Sequence, residues 1–153
     1  MILVTVGTTD FDDLVVRMDE LAATMTEEVV AQIGRGDYIP QHMTSFRFAP
    51  SLEPYYERAR LVIAHGGLGT AIEVIQRGLP LIALSNPDRY DRHQDDLLQA
   101  LEERGHLIWC RDLAALPEAL EQAEQRRFTP YETPECAIAP VIRQLLGLPT
   151  QDE

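Results

Sequence analysis

With 153 residues, 45% of them apolar, the chain has the size of one domain and can bury a core without metal or disulfide support. The formal net charge is −12 and all 13 basic residues are arginine. That balance argues against nucleic acid or bare anionic lipid as partner, and leaves arginine, backbone amides and hydroxyls for any phosphate. No apolar run approaches the roughly 18 residues of a membrane span, and the opening Met-Ile-Leu-Val-Thr-Val lacks a basic n-region and a cleavage pattern, so a cytoplasmic protein is expected.

In chain order, Ile2 to Val6 reads as a buried strand, followed by the tight loop Gly7-Thr8-Thr9 and by Asp10 as an N-cap. Leu14, Val15, Met18, Leu21, Ala22 and Met25 recur at helical spacing. Val29 to Ile33 is a second strand, closed by Gly34-Arg35-Gly36, and Phe46 to Phe48 a short third. Ser51 caps a short helix through Ala59. Leu61 to Ala64 is a buried strand running into His65-Gly66-Gly67. A helix over Thr70 to Arg77 is stopped by Gly78-Leu79-Pro80. Leu81 to Leu84 is a strand, 86–91 a polar loop, Arg92 to Arg104 a helix, Leu107 to Cys110 a strand and Leu116 to Gln125 a helix. Phe128 to Pro134 reads as a connector, and Ile138, Val141, Ile142, Leu145 and Leu146 mark one stripe of a final helix over 135–146. Cys110 and Cys136 have no metal or redox spacing and read as buried thiols.

Strands alternating with amphipathic helices predict a doubly wound, mostly parallel α/β sheet, whose ligands bind outside the carboxyl ends of the strands. The most informative segment there is His65-Gly66-Gly67-Leu68-Gly69-Thr70-Ala71-Ile72-Glu73. Its glycines let a ligand approach the backbone, and the helix start offers unpaired amides and partial positive charge to a phosphate. Glu73, three residues after Thr70, shares its helix face, and its carboxylate suits a vicinal diol; a solvated helix residue is the competing reading. The glycines at 66, 67 and 69 do not make the dinucleotide fingerprint G-x-G-x-x-G, which argues against a nicotinamide oxidoreductase. Arg35 is balanced between phosphate contact and solvated loop, Arg89 and Arg92 read as surface residues, His42 as exposed, and His106 as structural.

His65-x-Gly67-x-x-Thr70-x-x-Glu73, then Gly78-Leu79-Pro80, then His93-Gln94, resembles the donor-binding signature of GT-B glycosyltransferases, above all the C-terminal domain of family 28. Val4-Thr5-Val6-Gly7-Thr8-Thr9-x-Phe11-Asp12-x-Leu14, with Gln32-Ile33-Gly34-Arg35-Gly36 and Gly105-His106-Leu107, is similar to the small catalytic subunits of two-component UDP-sugar transferases. Those include bacterial exopolysaccharide enzymes of the PssE type and the dolichol-pathway UDP-N-acetylglucosamine transferase. The resemblance spans about residues 2–125.

It implies a Rossmann-like single half of a GT-B fold at 1–127, with 128–153 as connector and amphipathic helix, which either docks on the partner or packs on this domain's own core. It implies roles for particular residues as well. Gly66, Gly67, Gly69 and Thr70 would hold the nucleotide diphosphate, with His65 against the same phosphates. Glu73 would take the ribose hydroxyls, His93 and Gln94 the sugar hydroxyls, and Phe48-Ala49 the uracil. Gly7, Thr8 and Thr9 would face the meeting point of acceptor and diphosphate, with Asp10, Asp12 or a partner residue as candidate base. The pair His93-Gln94 differs from the Asp-Gln and Gln-Gln pairs of relatives and leaves the sugar open. No metal or cofactor is implied beyond the UDP-sugar donor. The partners implied are a membrane-anchored acceptor-binding subunit, which would recruit the chain to the inner face of the membrane, and a lipid-linked sugar acceptor. A non-catalytic activating subunit is the alternative.

Overall fold

A computed structural model describes residues 1–88 and 92–134, without the side chains of Arg92 and His93. Six strands form one wholly parallel sheet: β1 (Ile2–Thr5), β2 (Val29–Gln32), β3 (Thr44–Phe46), β4 (Leu61–His65), β5 (Leu81–Leu84) and β6 (Ile108–Cys110). The helices are α1 (Asp12–Ala22), α2 (Glu53–Tyr56), α3 (Leu68–Gln76), α4 (Arg92–Glu103) and α5 (Leu116–Gln125). The strand order is β3-β2-β1-β4-β5-β6, so the winding reverses between β1 and β4.

The strands are apolar on both sides because both sheet faces are covered. Successive side chains leave a strand on opposite faces, and the core divides accordingly. Ile2, Val4, Ile63 and Ile82 join Leu14, Met18 and Leu116 of α1 and α5 in one cluster. Leu3, Val62, Ala64 and Ala83 join Ala71, Val74 and Leu98 of α3 and α4 in the other. Alanines on strand and helix in the second cluster let α3 lie close to β4.

Several boundaries differ from expectation, four of them for identifiable reasons. Asp10 does not cap α1: Phe11, drawn into the core at 5% exposure, holds the cap position, and the helix starts at Asp12. β3 lies two residues earlier than 46–48, because its ladder with β2 ends at the pair Gln32 and Phe46. Ser51 does accept the Glu53 amide at 3.1 Å, but α2 closes at Tyr56 and only turns continue to Ala59. α3 begins at Leu68 with Gly67 as cap, two residues before Thr70.

The connector folds back on the domain. The Thr129 amide donates to the Gly105 carbonyl at 3.0 Å, and His106 Nδ1 donates to the Thr129 carbonyl at 2.9 Å. The His106 ring meets Tyr131 edge-on at 5.3 Å, the structural role expected of it. Arg89, Cys136 and the expected final helix lie outside the described residues.

Candidate functional site

The turns after β1 and β4 meet where the winding reverses, the place where such sheets form a ligand crevice. The β1 turn is built from inside the sheet. Buried Thr5 donates to Gln32 Oε1 at 2.7 Å and accepts the Gly7 amide at 3.0 Å. Gly7 then takes φ +65°, a left-handed conformation that favours glycine. The Thr9 hydroxyl donates to the Val6 carbonyl at 2.8 Å, so it shapes the turn. Thr8 is exposed.

The neighbouring turn after β2 locks onto this one. The Arg35 amide donates to the Thr9 carbonyl at 2.9 Å, while its side chain is exposed. Arg47, just past β3, donates to the carbonyls of Gly34 (3.1 Å) and Gly36 (2.7 Å). Two carboxylates of α1 hold the segment that leaves the β2 turn. Asp12 Oδ2 accepts the amides of Asp37 (3.0 Å) and Tyr38 (3.2 Å). Asp19, 2% exposed, accepts the Tyr38 hydroxyl at 2.7 Å and the amides of Gln41 (2.9 Å) and His42 (2.7 Å). Burial alone would raise the Asp19 pKa, but those two amides, the Tyr38 hydroxyl and the His42 ring hold it below the ordinary value.

From His65, the last residue of β4, the chain passes through Gly66 and Gly67 into α3. The imidazole lies between two glycines: a Cβ on Gly7 would stand 3.1 Å from its Cε1, and one on Gly67 2.5 Å from its Nε2. A Cβ on Gly66 would stand 2.7 Å from Leu98. The Gly66 amide is committed to the Leu84 carbonyl at 2.6 Å and that of Gly67 to the His65 carbonyl at 2.8 Å. The helix-start donors are therefore the amides of Leu68, Gly69 and Thr70, which have no carbonyl one turn before them. Gly69 is exposed, and a Cβ there would meet nothing within 4 Å among the described residues.

Glu73 lies further along α3 with its side chain 48% exposed, beside Tyr56 of α2 at 3.3 Å and Arg77 at 3.5 Å. Phe48 is 54% exposed and Ala49 partly buried, just beyond β3. Gln94 is half-buried in the first turn of α4; the His93 side chain lies outside the described residues. That turn is tied to β5 and β6 through Asp95: Ser85 donates to Asp95 at 2.6 Å and accepts the Trp109 indole N–H at 3.0 Å. The Asn86 amide group donates to the Asp10 carbonyl at 3.1 Å, joining the β5 loop to the β1 turn. An open cleft of about 320 Å³ along β6, lined by Trp109, Cys110, Asp112 and Gln122 among others, contains none of the predicted site residues.

Thr5, Gln32, Arg47, Ser85, Asn86 and Asp95 shape these turns and were not foreseen from the sequence. Each acts through a partner ten or more positions away, so local spacing carries no trace of them.

A parallel sheet in this order, with glycine turns at the reversal, is Rossmann-like. Residues 1–144 match the glycosyltransferase family 28 C-terminal domain, and the chain belongs to that family. It is 32% identical over 122 residues to the human UDP-N-acetylglucosamine transferase subunit ALG13, covering 71% of this chain but only 11% of that protein's length. The fold resembles the NMR solution structure of ALG13, with a TM-score of 0.62, 19% identity and 94% of both chains covered. It also resembles Acinetobacter baumannii MurG, with a TM-score of 0.64, 20% identity, and 82% of this chain and 41% of that one covered. This is the fold of one half of a GT-B glycosyltransferase.

Proposed function

We propose that the chain is the donor-binding, catalytic subunit of a heteromeric transferase. It moves a hexose or N-acetylhexosamine, N-acetylglucosamine foremost, from its UDP-sugar to a lipid-linked acceptor in exopolysaccharide or cell-surface glycan synthesis. The observation that carries this reading is the pairing at the sheet's reversal of the α3 amides with the His65 ring between Gly7 and Gly67. The human relative is a UDP-N-acetylglucosamine transferase subunit, which supports the donor class and the need for a partner.

In the proposed reaction the C1–O bond to the diphosphate breaks, and negative charge grows on the leaving oxygen. The amides of Leu68, Gly69 and Thr70, the Thr70 hydroxyl and the positive end of α3 meet that charge where it develops. His65 lies against the phosphates, Glu73 takes the ribose diol, Phe48 and Ala49 the uracil, and His93 and Gln94 the sugar. Thr8 faces the acceptor side. A base takes the acceptor proton. The candidate bases are Asp10, Asp12, whose Oδ2 accepts the amides of Asp37 and Tyr38, and a residue of the partner. The displacement inverts the anomeric centre and uses no metal. The partner is membrane-anchored, carries the acceptor site, docks the stripe Ile138, Val141, Ile142, Leu145 and Leu146, and holds the chain at the cytoplasmic face.

Calorimetric titration of UDP into wild type and Glu73→Ala tests the donor site. Loss of the ribose hydrogen bonds should weaken binding by about 1–3 kcal/mol. Equal affinities for the two proteins would favour a non-catalytic activating subunit.

A further inference from the structure

Glu73 is an exposed helix residue whose carboxylate is nevertheless held on both oxygens. The Tyr56 hydroxyl donates to Oε2 at 3.3 Å, and Arg77, four residues on, places Nη2 3.5 Å from Oε1. Each holder is itself fixed. Tyr56 is 3% exposed in α2, and its neighbour Tyr55 stacks on Phe46 of β3 at 4.4 Å. Arg77 pairs with Glu53 of α2 at 2.6 Å, and its guanidinium lies 4.9 Å over the Tyr56 ring. The assembly joins the end of β3, just before Phe48 and Ala49, to the face of α3 that carries Glu73.

An exposed glutamate normally samples many rotamers, and ordering one costs side-chain entropy. A carboxylate offers roughly four lone-pair positions. Two are occupied from the protein side, which leaves two for a ligand, the number a vicinal diol donates. We propose that Tyr56 and Arg77 are positioning residues that preset the Glu73 carboxylate for the ribose diol of the donor. This rests on the reading of Glu73 as the ribose contact. Burial first, and then the Glu73 charge, push the Tyr56 phenol up to about 12, so it stays protonated and donating at any working pH.

Titration of two nucleotides, UDP and 2′,3′-dideoxy-UDP, into wild type, Tyr56→Phe, Arg77→Gln and Glu73→Ala separates this role from one of merely joining α2 to α3. Tyr56→Phe keeps the ring and its packing and should weaken UDP roughly three- to tenfold, the effect of one hydrogen bond, while leaving the dideoxy nucleotide unchanged. Arg77→Gln should act in the same direction, and Glu73→Ala more strongly. Adding Tyr56→Phe to Glu73→Ala should cause no further loss. If Glu73→Ala weakens UDP but Tyr56→Phe and Arg77→Gln match wild type, the positioning role is overturned and the ribose reading stands. If Tyr56→Phe weakens both nucleotides equally, the role is structural and the proposal fails. If Glu73→Ala has no effect, or wild type does not bind UDP, the ribose reading itself falls.

Discussion

Two glycine-bearing regions face each other across the reversal of the sheet, and their glycines are there for different reasons. On the side of β1 and β2 the backbone is packed against itself. Gly34 has φ +55°, and a Cβ on it would stand 2.2 Å from the Thr9 carbonyl oxygen and 2.9 Å from that of Gly7. On the β4 side the turn loosens along its length: a Cβ on Gly66 would meet Leu98 and Leu84, one on Gly67 the flexible His65 ring, and one on Gly69 nothing among the described residues. A glycine needed for packing says nothing about a ligand. One that packs against nothing, among amides with no intrahelical acceptor, leaves ligand approach as a reason for its presence. With the amides of Gly66 and Gly67 taken by carbonyls, those of Leu68, Gly69 and Thr70 are the better candidates for a diphosphate.

Gly34→Ala should cost the most stability. A left-handed alanine costs about 1–3 kcal/mol, and overlap with two carbonyl oxygens that the sheet holds in place raises the loss to on the order of 4 kcal/mol. Urea unfolding measures it. A loss below about 1 kcal/mol would mean that the two turns are not interlocked.

Asp19→Asn probes the same packed side one step removed, because Asp19 holds the segment that leaves the Gly34 turn. The amide side chain turns an NH2 toward groups that are already donors, and the expected cost at neutral pH is about 1–3 kcal/mol. The folded-state pKa lies below its ordinary value, so the ionised form favours the native state. That contribution is complete above the unfolded pKa, about 3.9, and is lost as pH falls through the lower folded value. Wild type and variant should differ fully at pH 7 and converge in acid. Parallel unfolding curves across the whole range would remove the carboxylate's role as a clamp.

The elements most legible in the sequence are those bounded by apolar runs and clear stops. Leu81–Leu84 and Leu116–Gln125 have their expected limits. Where two patterns compete, the tertiary partner decides. The alternation Phe46-Arg47-Phe48 reads as a strand, but Arg47 leaves the ladder to hold two carbonyls of the β2 turn. Asp10 reads as a cap, but burial of Phe11 sets the helix start one residue later. For the candidate site, the glycines, His65, Thr70 and Glu73 stand close together in the chain and can be read as one turn. The Thr5–Gln32 pair, the Asn86 bridge and the Tyr56 contact cross between elements and become visible only when the sheet brings them together.

Gly69→Ala changes stability least and acts on the open side of the crevice. Residue 69 is the second position of α3, with no left-handed φ and, among the described residues, no neighbour for an added Cβ. Alanine is the better helix former and restricts the unfolded chain, so stability should rise by about 0.4–1 kcal/mol. The same methyl would stand among the amides assigned to the diphosphate, so UDP affinity should fall. Thermal unfolding and UDP calorimetry on one variant then give opposite signs. A fall in stability would show that this turn is packed like the one across the crevice. A rise in stability with unchanged UDP affinity would leave the glycine without a ligand to explain it, and the α3 amides would have to be replaced as the holders of the leaving group.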